Sequence, residues 1–280
     1  MKFSAKILKT IPESDVTVLV NSCDAYKDVQ MLFFEALKEY WSDLSYNVVL
    51  NSESSSLLNY SDKEKSNKPW GERLIDILNL IDSKYIIMLF DDFILEEKVD
   101  QDKINHSLNL LEKENKSSVF YLNVASIREH KDEPHNDFRI LKDYADYRLN
   151  SVPSVWKKKD LLKYTRKFDN PWTWEIFGTY RTFGKNIFYS TSSQQHDIFK
   201  YNSKKGGAIY RGKWVKEVVE DKIVKYKLNI NINSRGVVNQ SEKVDRSFFW
   251  KINFLFLGFK SIGLKMFLFL FRYLKLKMSK

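Results

Sequence analysis

The run Tyr85-Ile86-Ile87-Met88-Leu89-Phe90 passes without a break into Asp91-Asp92-Phe93. Six apolar, β-favouring residues in a row suit a strand covered on both faces, as in the parallel sheets of α/β folds. Val16-Thr17-Val18-Leu19-Val20-Asn21 and Tyr46-Asn47-Val48-Val49-Leu50-Asn51 have the same character. Between them, a helix starting near Lys27 or Asp28 puts Val29, Leu32, Phe33, Ala36, Leu37 and Tyr40 on one side. This is β–α–β, the opening of a mostly parallel sheet flanked by helices, with a right-handed crossover. Sheets of this kind bind ligands at the carboxyl ends of their strands, where Asp91 and Asp92 fall. Neighbouring carboxylates repel each other, so their natural partner is a divalent cation, alone or with a phosphorylated ligand. The same pair also reads as an ordinary helix start, since Asp favours caps and first turns.

Further along, residues 54–68 read as a polar loop and Trp70-Gly71-Glu72-Arg73-Leu74 as the opening of a helix. Residues 101–116 have helical spacing (Ile104, Leu108, Leu111), and Val119-Phe120-Tyr121-Leu122 reads as a strand. Residues 128–135 are charged and predicted to be loop. Pro153-Ser154-Val155-Trp156 is extended, with a helix over residues 157–167. Asn170-Pro171-Trp172-Thr173-Trp174-Glu175 opens another helix, with Pro at an early position. Ile187-Phe188-Tyr189 is a short strand, and a glycine-punctuated segment over residues 206–214 leads into a helix over residues 215–220. The single cysteine, Cys23, allows no intramolecular disulfide and points to a reducing compartment. The first fifteen residues lack the apolar core of a signal peptide, which makes the expected location cytoplasmic.

The net charge of +10 is concentrated at one end: residues 241–280 carry nine basic and two acidic side chains, a net +7. A nucleic-acid footprint over the body is therefore not indicated. The segment 248–278 is crowded with Phe, Leu and Ile, but Lys260 and Lys265 break any run long enough to span a bilayer. Wound as a helix, it gathers Lys260, Lys265, Arg272 and Lys275 on one half. Leu255, Phe256, Phe259, Phe267 and Leu274 fall on the other. A basic amphipathic helix lying on an anionic membrane surface fits this pattern, each cation being worth roughly 1 kcal/mol there. A helix packed on the protein's own body or on a partner chain fits it too. The division expected is a catalytic domain over residues 1–240 and a membrane-surface tail over 241–280.

Taken in order, Val20-Asn21-Ser22-Cys23-Asp24-Ala25-Tyr26, Leu50-Asn51-Ser52-Glu53, Trp70-Gly71-Glu72-Arg73-Leu74 and Leu89-Phe90-Asp91-Asp92-Phe93 form a pattern. It resembles bacterial glycosyltransferases of the GT-A fold, in particular those that assemble O-antigen and capsular polysaccharide. Pro153-Ser154-Val155-Trp156, Asn170-Pro171-Trp172-Thr173-Trp174-Glu175 and Arg211-Gly212-Lys213-Trp214 continue the resemblance, which spans residues 16–220. The acidic signature of that fold is Asp-any-Asp, whereas here the two aspartates are adjacent. That departure leaves metal dependence open.

The resemblance implies a nucleotide-sugar donor, a lipid-linked or oligosaccharide acceptor, and Mg²⁺ or Mn²⁺ as the accompanying cation. It places Asn21, Asp24, Tyr26 and Glu53 at the nucleoside, with Asp24 accepting a hydrogen bond from base or ribose and Tyr26 stacking on the base. Arg73 would meet the diphosphate, and Arg211 and Lys213 would close over it. Asp92 would hold the metal, with Asp91 on the ribose or behind it and His196 as a further ligand. Glu175, among Trp172, Trp174 and Phe177, would be the catalytic base in an inverting transfer, its pKa raised by desolvation; the Trp faces would receive the acceptor sugar. Each residue also has a structural reading: a turn or cap for Asp24, a surface arginine for Arg73, a polar-loop pair for His196 and Asp197, a first-turn glutamate for Glu175, a solvated basic turn for Arg211 and Lys213. Two other functions compete. One is a metal-dependent phosphate hydrolase using Asp91 and Asp92, and the other a noncatalytic, membrane-tethered scaffold.

Overall fold

The computed structural model describes residues 15–54, 66–125, 130–135, 137–238 and 247–278, with only the backbone of 130–135. In chain order the elements are β1 (Val16–Asn21), α1 (Lys27–Tyr40), β2 (Asn47–Asn51), α2 (Trp70–Leu80), β3 (Tyr85–Phe90), α3 (Gln101–Lys113), β4 (Ser117–Tyr121), β5 (His130–His135), β6 (Phe138–Leu141), β7 (Ser154–Lys157), α4 (Lys158–Tyr164), α5 (Pro171–Thr182), β8 (Ile187–Thr191), β9 (Ile209–Tyr210), β10 (Lys213–Trp214), α6 (Lys216–Lys225), α7 (Phe248–Ile262) and α8 (Lys265–Met278). Eight strands form one sheet in the order β2-β1-β3-β7-β4-β8-β6-β5. The pairs β1–β2, β1–β3 and β4–β8 are parallel. Pairings through β7 and β6 are antiparallel, so six of the eight strands run one way, the mostly parallel α/β layout expected, flanked by helices.

Alternation along the strands sends side chains to both faces. In β3, Ile87 and Leu89 join α1, α3 and α6 in one apolar cluster, while Ile86 and Met88 join α2, α4 and α5 in the other. All four are fully buried, each contributing about 2 kcal/mol of apolar burial. The apolar run therefore lies at the centre of the molecule.

Two features of the sheet position the site. Asn51, Asn21 and Phe90 are register partners, so β2, β1 and β3 end together. Next to β3 lies β7, antiparallel to both β3 and β4, with Ser154 opposite Met88. Its reversed direction brings the residues before it, Ser151 to Pro153, to the edge where β1 and β3 end.

Three expectations change. Residues 130–135, predicted to be loop, form a strand paired antiparallel with β6; residues 126–129 and 136, like most of the 54–68 loop, lie outside the described residues. Asp91 and Asp92 do not start a helix. They sit in a turn, and the next helix begins at Gln101 with Asp100 as its cap. The tail is not one helix but two, broken at Gly263, whose φ of 55° is outside helical range.

The tail's polar and apolar faces are also set the other way from a helix lying free on a membrane. Its polar side meets the body: Lys265 donates to the Tyr180 carbonyl, Arg272 pairs with Asp146 at 2.9 Å, and Arg181 donates to Ser261. Phe254 and Phe269 pack on Phe177 of α5, and Gly258 lets Met266 approach. Phe248, Phe249, Phe256, Leu264, Phe267, Phe271 and Met278 are each at least 60% exposed. No described helix is long and apolar enough to cross a membrane.

Candidate functional site

The site lies where β2, β1 and β3 end, and its first half is a closed set of polar pairs. Asn21 is buried; its carboxamide accepts from Asn51 and from the Trp70 indole and donates to the Leu89 carbonyl. It ties the strand ends together and turns no free polar group outward. Glu53 accepts from the Asp24 backbone amide at 2.6 Å and pairs with Arg73 at 3.0 Å. Arg73 is itself buried and donates to the Lys68 carbonyl. The guanidinium expected at a diphosphate is therefore inside the protein, bracing Glu53. Asp24, half-buried, accepts from the Ser54 amide at 3.1 Å and from its hydroxyl. Asp91, 3% exposed, accepts from the Ser22 hydroxyl, and burial pushes its carboxyl well above the usual range.

Asp92 differs from all of these. Its carboxylate is hydrogen-bonded only to its own backbone amide and to no other described residue, while its backbone carbonyl accepts from Ala208 at 2.7 Å. It keeps some solvent access yet sits amid dense protein. Desolvation, with the nearby charge of Glu175 adding to it, raises its pKa to about 7. Glu175 has reached the same place from α5. Pro171 opens that helix behind an Asn170 cap, whose side chain accepts from Thr173 in a capping box. One turn in, Glu175 Oε1 accepts from the Ser151 amide at 2.7 Å and the Ser151 hydroxyl at 2.6 Å. Desolvation still raises its pKa. The segment leading into the antiparallel β7 thus supplies the residue that orients Glu175, whose charge acts on Asp92 from a distant part of the chain.

Tyr201 and Tyr26 complete the surround. Burial raises the pKa of both phenols, with Asp92 acting on each and Glu175 on Tyr201. Tyr201 is carried by a bridge between Leu95 and its own backbone and packs its ring 4.4 Å from that of Phe93. Tyr26 has the Arg235 guanidinium over its ring at 4.7 Å, and Arg235 also pairs with Asp28. Tyr201, Ser151 and Arg235 belong to no motif in the sequence; tertiary structure alone brings them here. Ser22 lies inside the first motif, but its role, a hydroxyl donated to Asp91, appears only in the structure.

The basic segment forms the hairpin β9–β10, with Arg211 and Gly212 in its turn at φ of 52° and 80°. Positive φ at both central residues is what a tight hairpin turn requires. The hairpin hangs on the Asp92 carbonyl through Ala208, and Gly207 is fixed by the same approach: a Cβ there would stand 2.9 Å from that oxygen. Arg211 is exposed, 5.1 Å over the Tyr210 ring, and Lys213 is half-buried beside it.

Two expectations about the surround change. Trp174 is fully buried between Trp70 and Trp156, and Trp172 packs on Trp250 and Phe254 of α7. Trp174 therefore offers no face to an acceptor sugar, and the 36% of Trp172 that stays exposed lies beside the tail helix. His196 bonds to Ser192 at 2.6 Å and faces Asp137 at 3.7 Å, away from the carboxylate pair.

Among the described residues, no three His, Cys, Asp or Glu side chains form a group that could hold a metal ion. A hard cation taking most of its oxygens from a diphosphate needs only one or two carboxylates. The unpartnered Asp92 fits that demand, with Asp91 behind it.

No family model matches the chain, and no curated protein matches it. Among solved structures it is similar to the bifunctional IspDF from Campylobacter jejuni at 11% identity and a TM-score of 0.38, covering 69% of this chain and 53% of that one. It is similar to S. aureus TarS 1-349 at 10% identity and 0.38, covering 79% and 68%. A cytidylyltransferase from Leptospira borgpetersenii matches at 14% identity and 0.39, covering 83% and 99%.

Proposed function

We propose that the protein is a glycosyltransferase that moves a sugar from a nucleotide donor to a saccharide acceptor, lipid-linked or free, of the surface-polysaccharide type. The observation that carries this reading is the Asp92 carboxylate at the end of β3, hydrogen-bonded to no other described residue, together with the desolvated Glu175, which Ser151 orients and whose charge acts on it. The ordered motifs resembling GT-A enzymes support the choice of substrate.

In this reading Tyr26 and Asp24 receive the nucleoside, and Asn21, Glu53 and Arg73 hold the strand ends that carry them. Asp92 lies on the diphosphate side and would hold a Mg²⁺ or Mn²⁺ ion with Asp91 behind it. Such a cation would stabilise the charge that develops on the departing diphosphate. Arg211 and Lys213 cover that diphosphate from the hairpin. Glu175 takes the proton from the acceptor hydroxyl as its oxygen bonds to the anomeric carbon. The bond to the diphosphate breaks on the opposite side, inverting that centre. The tail, residues 241–280, holds the enzyme on the cytoplasmic face of an anionic membrane through its exposed Phe and Leu side chains and the outward cations Lys251 and Lys275.

Thermal unfolding of the full chain with UDP, GDP or CDP and Mg²⁺, together with hydrolysis of a panel of nucleotide sugars, tests the assignment. One nucleoside diphosphate should raise Tm, and its sugar nucleotide should be slowly hydrolysed. Phosphate release from simple monoesters would replace the transferase with a hydrolase. No response to any of them would leave a scaffold.

A further inference from the structure

The first two turns of α5 serve two places at once. The charge of Glu175 acts on Asp92, while Trp172 and Ile176 line a separate, half-open cavity of about 710 Å³ between α5, α7 and α8. Its other walls include Trp250, Phe254, Phe269 and Leu270. The size and apolar lining are those of a ligand site rather than a packing gap. Lys251, Arg272 and Asp146 are the charged residues on its lining, and Arg272 pairs with Asp146. One cation, Lys251, is left in excess.

Leu255 and Tyr273 line the cavity and are themselves exposed, at 37% and 51%. The cavity therefore continues into the outward surface of α7 and α8, where Phe248, Phe249, Phe256 and Phe271 are exposed. A contiguous apolar surface of this kind marks a partner or membrane contact. A water-soluble ligand has no reason to enter beside it, whereas a hydrocarbon chain leaving a bilayer does. We infer that the cavity between α5, α7 and α8 binds one chain of an anionic bilayer phospholipid, with its phosphate beside Lys251. The site makes the tail a lipid receptor as well as a surface patch. It rests on the membrane part of the reading above and is independent of the transfer chemistry.

The test incubates the full chain with vesicles of phosphatidylglycerol and phosphatidylcholine in equal parts, then measures sedimentation and, by native mass spectrometry, retained lipid. One phosphatidylglycerol per chain should remain bound in preference to phosphatidylcholine. Leu270→Trp, which fills the cavity, should lower retention at least tenfold while sedimentation persists through the outer Phe side chains. Lys251→Gln should reduce the headgroup preference at least threefold. If Leu270→Trp does not fold, Ile176→Phe fills the same space from α5. Sedimentation without retained lipid, or retention unchanged in the filled variant, overturns the cavity site alone. Failure to sediment overturns the membrane reading with it, and a lipid-free dimer closing this face would show that a second copy is the occupant.

Discussion

Arg73 and Asp92 both stand out in the sequence as charged residues beside buried apolar runs, yet the structure treats them in opposite ways. Arg73 is enclosed and paired with Glu53, which in turn holds the Asp24 amide. Asp92 is half-buried, its carboxylate bonded to no described residue but its own, and under the influence of a second desolvated carboxylate, Glu175. Burial without a charged partner disfavours the carboxylate form and raises the Asp92 pKa to about 7, so a cation arriving there would be what restores its charge. A desolvated charge with a partner is complete already. The state of pairing, not the residue type, separates the working half of this site from its frame.

Substitutions in the two halves should therefore fail differently. The largest effect is expected for Asp92→Asn, which removes the negative charge on the diphosphate side. Transfer should fall by about 10³-fold, the scale for losing a group that offsets leaving-group charge. Tm of the ligand-free protein should hold or rise, because a desolvated, unpartnered charge has gone. Near-normal turnover in steady-state assays would remove Asp92 from the mechanism. Glu175→Gln comes next, with a loss of about 10²-fold or more in kcat from removal of the general base. Binding of nucleoside diphosphate, measured by calorimetry, should survive.

Arg73→Gln should show the reverse. Breaking an enclosed ion pair from one side costs about 3 kcal/mol, here because Glu53 loses its cation. Urea unfolding should register that loss, while turnover per folded molecule stays near the starting value. A collapse of kcat with unchanged stability would place Arg73 on the diphosphate after all and erase the distinction.

This contrast was only half legible in the sequence. The strands and helices could be read because their apolar spacing is local: β3 is a continuous run, and α1 shows its buried face directly. The end-to-end alignment of β1, β2 and β3 follows from β–α–β logic. The antiparallel insertion of β7 does not, since nothing in Ser154-Val155-Trp156 states which neighbours it will have. Ser151 and Tyr201 went unnoticed for the same reason, being placed by pairings outside their own segments. Glu175 was found through the resemblance and the Asn-Pro helix start, but its meeting with Asp92 exists only in three dimensions. The tail shows the limit most clearly. Composition showed both its cations and its aromatics, yet Lys265 and Arg272 turned inward onto the body because Tyr180 and Asp146 offered acceptors there.

The smallest expected effect lies on the boundary between the halves. Asp24 is half-buried and already accepts from Ser54, which makes it part of the frame. It also stands at the end of β1 two residues before Tyr26, where the nucleoside is proposed to lie. Asp24→Ala should cost about 1 kcal/mol of stability through the lost hydrogen bonds. If the carboxylate also meets the base or ribose, the KM for donor should rise by several-fold, the worth of about one hydrogen bond, with kcat unchanged. We expect both changes, because the carboxylate is half-buried at the end of β1, beside Tyr26. A stability loss without any change in KM would move Asp24 to the side of Arg73. The nucleoside would then be left to Tyr26, whose stacking could be tested separately by Tyr26→Leu.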